Sequence, residues 1–359
     1  MQIFNKLLRF RKVYIFFISL VLFIIIFFTT YLYANTFKIS NIEISSPFEL
    51  NFEKNAVIDQ GFKISFFNLL TMITTSGDRN KVKNTSIKEI KGMIDSFTIS
   101  NEKFINNEYF ASLETTFNKK KVLKFFERKN IFPSMPLRNK VLLIPILMDT
   151  LTDSVYLFNN NIFYDKWNDK KNNFQLLEYL LPSEDLGDLN KIQSIINNIE
   201  DHDFSELISK YDLQDYIVLI IYKNRMEIKI LSKINLNNSL KLNNKRYDKI
   251  NLQNENETKK LISDLKNIYE DEWKKNNEIN TSIKLPITIS VNSKNYKKIE
   301  KVERALENID LISKFYTLKF DSQNILFKVI YNGSPKLFLN DMNKQNLDLI
   351  ISDNVWSVE

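Results

Sequence analysis

An uninterrupted apolar run near the N-terminus constrains this chain more than any other feature of its sequence. Residues 13–33 read VYIFFISLVLFIIIFFTTYLY and contain no charged residue. About 20 helical residues, at a rise of 1.5 Å each, span the roughly 30 Å hydrocarbon core of a bilayer. The run therefore predicts a transmembrane helix at 13–33, through which the protein contacts a membrane.

The charges around this run predict its orientation. No acidic residue occurs before Glu43, and four of the seven net positive charges belong to a cluster that precedes the run: Lys6, Arg9, Arg11 and Lys12. Basic residues stay on the cytoplasmic side of a membrane. We therefore expect a basic cytoplasmic tail at 1–12, a single pass through the inner membrane and the bulk of the chain in the periplasm. Because this cluster accounts for most of the basic balance, we expect no nucleic-acid partner.

A cleavable signal peptide is the alternative to a retained anchor. Leu32, Tyr33 and Ala34 form an acceptable cleavage site before Asn35, although the apolar run exceeds the usual 7–15 residues of a signal peptide. Cleavage near Ala34 would release the protein into the periplasm. The absence of cysteine suits an oxidising compartment in either case.

The composition excludes several kinds of chemistry. The chain has no cysteine, one histidine and five glycines. Disulfide scaffolds, zinc fingers, iron–sulfur centres and multi-histidine metal sites are thus excluded. The glycines never approach the spacing of a phosphate-binding loop. We predict no catalytic residue, no cofactor and no metal ligand, and we favour a protein that is not an enzyme.

Residues 36–132 predict a first α+β domain with the element order β-α-α-β-β-α. Apolar residues at helical spacing predict a helix at about 55–74. Ser86, with Glu89 three residues later, is a capping box that begins a second helix. Strict alternation at 109–117 predicts a half-buried strand.

Residues 137–234 predict a second domain that is an α/β layer. The continuous apolar runs at 141–147 and 216–222 are typical of central strands buried on both faces. The range 235–283 is predicted to hold a polar linker, at 235–255, and then a long helix.

Residues 284–359 predict a C-terminal domain with the order β-α-β-β-α-β, which fits a ferredoxin-like sandwich. Ser334 and Pro335 supply an N-cap and a first helical residue for its second helix. The fold class is therefore α+β, with an N-terminal transmembrane helix followed by about three small α/β sandwich domains.

An aromatic segment in the second domain is the candidate binding surface. Exposed, its rings would form a platform for a glycan or a peptide; buried, they would pack on the sheet. The candidate residues are Tyr156, Phe158, Asn161, Phe163, Tyr164 and Trp167.

Other titratable groups carry weaker signals. His202 lies between Asp201 and Asp203, but sequence neighbours at a helix start do not face each other, so we predict a structural or surface role. The acidic residues from Asp185 onwards suit helix starts better than a cation site. Lysines within 119–129 could bind polyanions or lipid headgroups, or could simply cover a solvated helix face.

The order of several short motifs resembles an uncharacterised family of exported proteobacterial proteins. The resemblance implies an exported protein and carries over no catalytic residue; Ile162 departs from it, since proline often follows the equivalent asparagine. More distantly, the β-α-α-β-β order looks like envelope-assembly repeat domains that bind peptides by strand addition. The motifs are 96–100, 109–117, 141–145, 161–167, 181–183 with 187–188, and 331–333.

These observations favour a membrane-tethered, non-enzymatic adaptor or scaffold of the cell envelope, with another envelope protein as its partner. Two alternatives remain open. One is an envelope enzyme whose carboxylates are brought together by folding, and the other is a protein that binds polyanions or lipid headgroups through the 119–129 lysines.

Overall fold

The chain is a mixed α+β protein with several small sheets. The computed structural model describes residues 36–169, 173–280, 283–352 and 355–358. These residues form three β-sheets and ten α-helices. Neither the basic tail nor the apolar run at 13–33 falls within the described residues. Among the described helices, none is long and apolar enough to cross a bilayer.

The first sheet is antiparallel and is covered by helices on one face. Its strands are β1 (Thr36–Pro47), β2 (Ile94–Ile105) and β3 (Glu108–Asn118), in the order β1-β3-β2. Its helices are α1 (Lys54–Ile73), α2 (Ser76–Val82), α3 (Ile87–Met93) and α4 (Lys119–Arg128). Every second residue of β3, from Tyr109 to Phe117, is buried in one core with residues of α1 and α4. The opposite face of β3 is half-buried or exposed.

Local signals begin most of these helices. The predicted helix at 55–74 is confirmed as α1, and Ser86 caps α3 by accepting a hydrogen bond from the backbone N–H of Glu89. The structure adds a short helix, α2, between the two predicted helices. Thr75 caps α2 by accepting a hydrogen bond from the N–H of Asp78, which stabilises this short helix.

The second sheet has six strands. They are β4 (Asn139–Asp149), β5 (Ser154–Tyr156), β6 (Leu177–Leu180), β7 (Tyr216–Asn224), β8 (Glu227–Leu236) and β9 (Ser239–Tyr247). The order is β5-β4-β7-β8-β9, and β6 also pairs with β4. Its helices are α5 (Ile162–Lys166), α6 (Leu186–Ser194), α7 (Ser205–Ser209) and α8 (Glu255–Asn276), with a 3₁₀ turn at Ile196–Asn198. The central pair β4 and β7 is parallel and buried on both faces, as their continuous apolar runs predicted.

Strand β9 corrects the prediction of a linker at 235–255. Asn237 and Asn238 both have positive φ, of 53° and 58°, and form a two-residue turn that folds β9 back onto β8. Most β9 side chains are exposed or half-buried, because β9 lies at the edge of the sheet. An edge strand without a buried face lacks the apolar alternation on which the prediction depended.

Helix α8 joins the second sheet to the first through buried charges. Lys266 Nζ donates to the carbonyl of Trp167 at 2.6 Å, and Lys274 Nζ donates to the carbonyl of Thr71, on α1, at 2.6 Å. Between them, Glu270 accepts hydrogen bonds from two backbone N–H groups at the start of β6 and lies 3.5 Å from Lys274 Nζ. Burial lowers the pKa of both lysines. The helix is therefore a packed connection and not an exposed spacer.

The third sheet has five strands and carries two helices. Its elements are β10 (Leu285–Asn292), α9 (Tyr296–Asn308), β11 (Ile312–Phe320), β12 (Asn324–Tyr331), α10 (Pro335–Lys344), β13 (Leu349–Ile350) and β14 (Trp356–Val358). The strand order is β11-β12-β10-β14-β13. Ser334 caps α10, as predicted. The strand beside β10 is β14, which is parallel to β10, whereas the last strand of a split βαβ unit would run antiparallel there.

Candidate binding groove

The aromatic segment after β5 packs into the second sheet. Four of its six candidate residues are buried and two are half-buried: Phe158, Asn161, Phe163 and Trp167, and then Tyr156 and Tyr164. Phe163 and Trp167 belong to the core on one face of the sheet, and Phe158 belongs to the core on the other. The four buried side chains therefore supply core packing and do not form an exposed aromatic platform.

Asn161 holds this segment against the central strand. Its side-chain amide donates to the carbonyls of Pro145, Tyr156 and Leu157 at 2.9–3.2 Å. Its Oδ1 accepts the backbone N–H groups that begin α5. Pro145 lies on β4 between the stretches paired with β6 and β5, where a strand neighbour is missing and a proline is tolerated. Asn161 is thus a structural residue with all its hydrogen-bonding capacity used.

The other candidate groups also have structural partners. His202 packs its ring on Phe204 at 5.0 Å, and its carbonyl accepts a hydrogen bond from Lys233. Asp185 is the residue that caps α6. Across the described ranges, no group of three or more His, Cys, Asp or Glu side chains lies close enough to hold a metal ion.

The lysines of α4 are largely engaged in contacts. Lys119 pairs with Asp310 at 2.5 Å in a mostly buried position, and Lys121 pairs with Asp95. Lys120 donates to the carbonyl of Glu307. The phenylalanines that these lysines flank in sequence are buried in the first core. The face is therefore not a free cationic surface.

The first sheet instead presents a groove that the sequence analysis missed. It lies between α1 and the outer strand β2 and encloses about 710 Å³. Ile58 and Phe62 of α1 form its buried floor, and Ile94 and Phe97 of β2 form its wall. The Phe97 ring meets the Phe62 ring edge-on at 5.0 Å, yet Phe97 is 48% exposed.

The charges at the rim of this groove are compensated. Lys91 Nζ lies 2.6 Å from an oxygen of Asp59. Asp95 accepts from the side-chain amide of Asn118 at 2.9 Å and pairs with Lys121 at 3.4 Å. The groove thus offers an apolar surface between neutralised pairs.

The edge of β2 beside the groove is open. Within the described part of the chain, β2 pairs with β3 alone, and all of its residues are exposed except two that are half-buried, Ile94 and Ile99. Its register with β3 is interrupted before Ser96 and after Ser100, which leaves a regular stretch at 96–100. This stretch, SFTIS, contains neither a charged residue nor a proline. Sheet edges are ordinarily protected by charge, proline or bulges, and here bulges stand only at the two ends.

Two other concavities are smaller and differ in character. One, of about 350 Å³, lies against β8 and β9 and is lined by Lys229, Lys245 and Arg246. The other, of about 300 Å³, lies between the first and third sheets around Lys119 and Asp310. Neither lies beside an uncharged strand edge.

Neither the protein-family models nor the curated proteins include a match to this chain.

Proposed function

We propose that the protein is a membrane-tethered, non-enzymatic adaptor of the cell envelope that takes up an extended segment of a partner protein along β2. The observation that carries this proposal is the uncharged strand edge at 96–100 beside an apolar groove. Strand addition to a sheet edge combines main-chain hydrogen bonds with pockets for alternate side chains. The edge of 96–100 offers main-chain groups for such bonds, and the groove offers a pocket for a side chain.

Phe97 supplies much of the expected affinity. Covering the exposed half of a phenylalanine removes on the order of 100 Å² of apolar surface from water, which contributes about 2 kcal/mol. Each main-chain hydrogen bond to the added strand contributes about 1 kcal/mol net. A charge at position 97 would instead have to be desolvated when the ligand binds. Phe97→Glu should therefore weaken binding at least about tenfold.

A peptide library tests the proposal. The full-length chain in lipid nanodiscs would be panned against phage-displayed random dodecapeptides, and amide hydrogen exchange would map the binders. We expect enriched peptides with alternating apolar residues, protection of β2 amides and loss of binding in Phe97→Glu. The matched control is Phe320→Glu, which charges an exposed phenylalanine on the edge strand β11. An absence of enriched peptides, or binders equally affected by both substitutions, would refute strand addition at β2.

The location and the domain organisation are part of the proposal. The apolar run at 13–33 and the basic residues before it support a single-pass inner-membrane protein with its bulk in the periplasm, and so does the resemblance to an exported family. Each sheet has a hydrophobic core of its own, which supports three domains, the third a variant of the ferredoxin-like sandwich.

A further inference from the structure

The distal end of β2 forms an exposed apolar tip. We define the apolar tip as Phe48, Leu50, Phe104 and Ile105, of which Leu50 is fully exposed and the others about half exposed. The Phe48 and Phe104 rings contact each other with their centroids 4.9 Å apart, and the Phe104 centroid lies 5.2 Å from that of the buried Tyr109 ring. The tip is therefore a built surface, held in place by ring contacts.

A well-defined turn holds the tip together. Asn106 and Asn107, between β2 and β3, both have positive φ, of 52° and 59°, which is the geometry of a tight two-residue hairpin. The backbone N–H of Phe48 donates to the carbonyl of Asn107 at 2.7 Å. This bond fastens the loop that follows β1 to the hairpin.

The tip and the groove lie along the same strand, on either side of the bulge that follows Ser100. Phe97 is opposite Thr115 on β3 and Phe104 is opposite Tyr109, so the two sites are six positions apart along β3. At about 3.4 Å per residue the separation is roughly 20 Å. An extended segment of about seven residues that pairs with 96–100 and continues past the bulge would thus reach from the groove to the tip.

The charges around the tip select the ligand. Four carboxylates and two ammonium groups lie within four positions of its members in the chain: Glu49, Glu53, Glu102 and Glu108, and then Lys54 and Lys103. Lys54 is already paired with Glu102 at 2.6 Å, and Glu102 also accepts from the Tyr109 hydroxyl at 3.0 Å. Glu49 and Glu53 are exposed on the loop, and Glu108 is half-buried opposite Ile105. The tip is therefore net acidic, in contrast to the compensated rim of the groove.

We infer that the ligand of this protein is an extended peptide segment that places an apolar side chain in the groove and cationic side chains beside the apolar tip. This inference rests on the proposed function and specifies the ligand of the same strand edge. An anionic lipid surface would be repelled by the same carboxylates. A cationic peptide gains attraction from them while its apolar atoms cover the exposed rings.

Charged peptides test the inference on the full-length chain in nanodiscs. The probes are fluorescent nonapeptides with a phenylalanine next to one end, an alternating threonine and valine core, and Lys-Lys, Glu-Glu or Gln-Gln at the opposite end, so that six or seven positions separate the ring from the charges. Each pair is placed at either terminus, so that both strand directions are sampled. Binding is followed by fluorescence anisotropy. We expect the better Lys-Lys peptide to bind at least about fivefold more tightly than its Glu-Glu counterpart at low salt, and the ratio to approach one in 1 M salt.

Two triple variants separate local from overall charge. Neutralising the tip should reduce the ratio of Lys-Lys to Glu-Glu affinity and leave Gln-Gln binding within twofold. Neutralising three exposed carboxylates elsewhere should leave the ratio unchanged. The tip variant is Glu49→Gln, Glu53→Gln and Glu108→Gln; the control is Glu184→Gln, Glu303→Gln and Glu307→Gln.

The outcomes distinguish this inference from the proposed function. Equal binding of all three peptides, with each still weakened by Phe97→Glu, would overturn the cationic ligand and retain strand addition. Tighter binding of the Glu-Glu peptide, or equal effects of the two triple variants, would also overturn it. If no peptide binds, both proposals fall.

Discussion

Replacing Asn161 should destabilise the second sheet, because the side chain is fully buried and fully hydrogen-bonded. In Asn161→Ala, three backbone carbonyls lose a donor and two backbone N–H groups lose an acceptor. Each buried polar group left unpaired costs about 1–3 kcal/mol. If relaxation leaves two or three of them unpaired, the free energy of unfolding falls by about 3–5 kcal/mol. A residue of an exposed binding platform would instead change stability by less than about 0.5 kcal/mol.

Urea unfolding of the full-length chain in detergent micelles measures this loss. Tryptophan fluorescence reports mainly on the second sheet, since two of the three tryptophans, Trp167 and Trp273, are buried in a core that also holds Phe163 of the helix that Asn161 caps. Asn161→Ser restores an N-cap acceptor for α5 and should recover about 1 kcal/mol relative to alanine. The control is Asn159→Ala, which removes an exposed amide two residues away. A loss below about 1 kcal/mol in Asn161→Ala would refute the structural role that we assign to this amide.

Four further predictions concern stability. Lys274→Met leaves the buried carboxylate of Glu270 without its cation and should lower the free energy of unfolding in urea by about 3–5 kcal/mol. Adding Glu270→Gln should recover part of this loss. An equal loss in the double variant would contradict the pairing of Lys274 with Glu270. Gly92→Ala should stabilise the chain by about 0.5–1 kcal/mol, because a methyl group there meets no atom within 4 Å. Gly61→Val should destabilise the chain by about 1–3 kcal/mol, because the new Cβ would lie 2.6 Å from a leucine methyl carbon. A Gly61→Val variant that unfolds at a higher temperature than Gly92→Ala would refute the close packing at Gly61. Backbone N–H groups and a lysine lower the pKa of Asp321 to about 2. The stability that the ionised carboxylate contributes is therefore complete above its ordinary pKa near 4 and is lost as the pH falls through 2. Between pH 4 and pH 2, Asp321→Asn should lose less stability than the wild type, and parallel acid-unfolding curves of the two proteins would contradict this prediction.

Elements with local or strongly apolar signals could be predicted from the sequence. Ser86 and Ser334 begin helices through hydrogen bonds to residues three positions away, so the information lies within one turn. The apolar run at 141–147 predicted a doubly buried strand, and β4 confirms it. Strand β9 could not be predicted in this way, because its pairing with β8 depends on a hairpin turn and not on a buried face.

The candidate site also combines a feature that could be predicted from the sequence with one that could not. The predicted order β-α-α-β-β-α placed a strand before the one at 109–117. No local pattern states that this strand would lie at the edge of its sheet, as it does among the described strands. The uncharged stretch at 96–100 could have pointed to the site. It is unusual only for an edge strand, however, and the sequence does not show that this strand lies at an edge. The aromatic residues at 156–167 looked more suited to binding, and most of them are core.

The sequence by itself determined the features that depend on neighbouring residues: the helix starts, the central apolar strands, and the basic and apolar N-terminal pattern that predicts export. Tertiary structure alone decided which aromatic rings are buried and which strand edge, among the described strands, stays open. Burial and edge pairing depend on contacts between residues far apart in the chain. Phe97 and Trp167 are both large aromatic residues, and only their partners, α1 on one side and the second sheet on the other, make the first half exposed and the second fully buried.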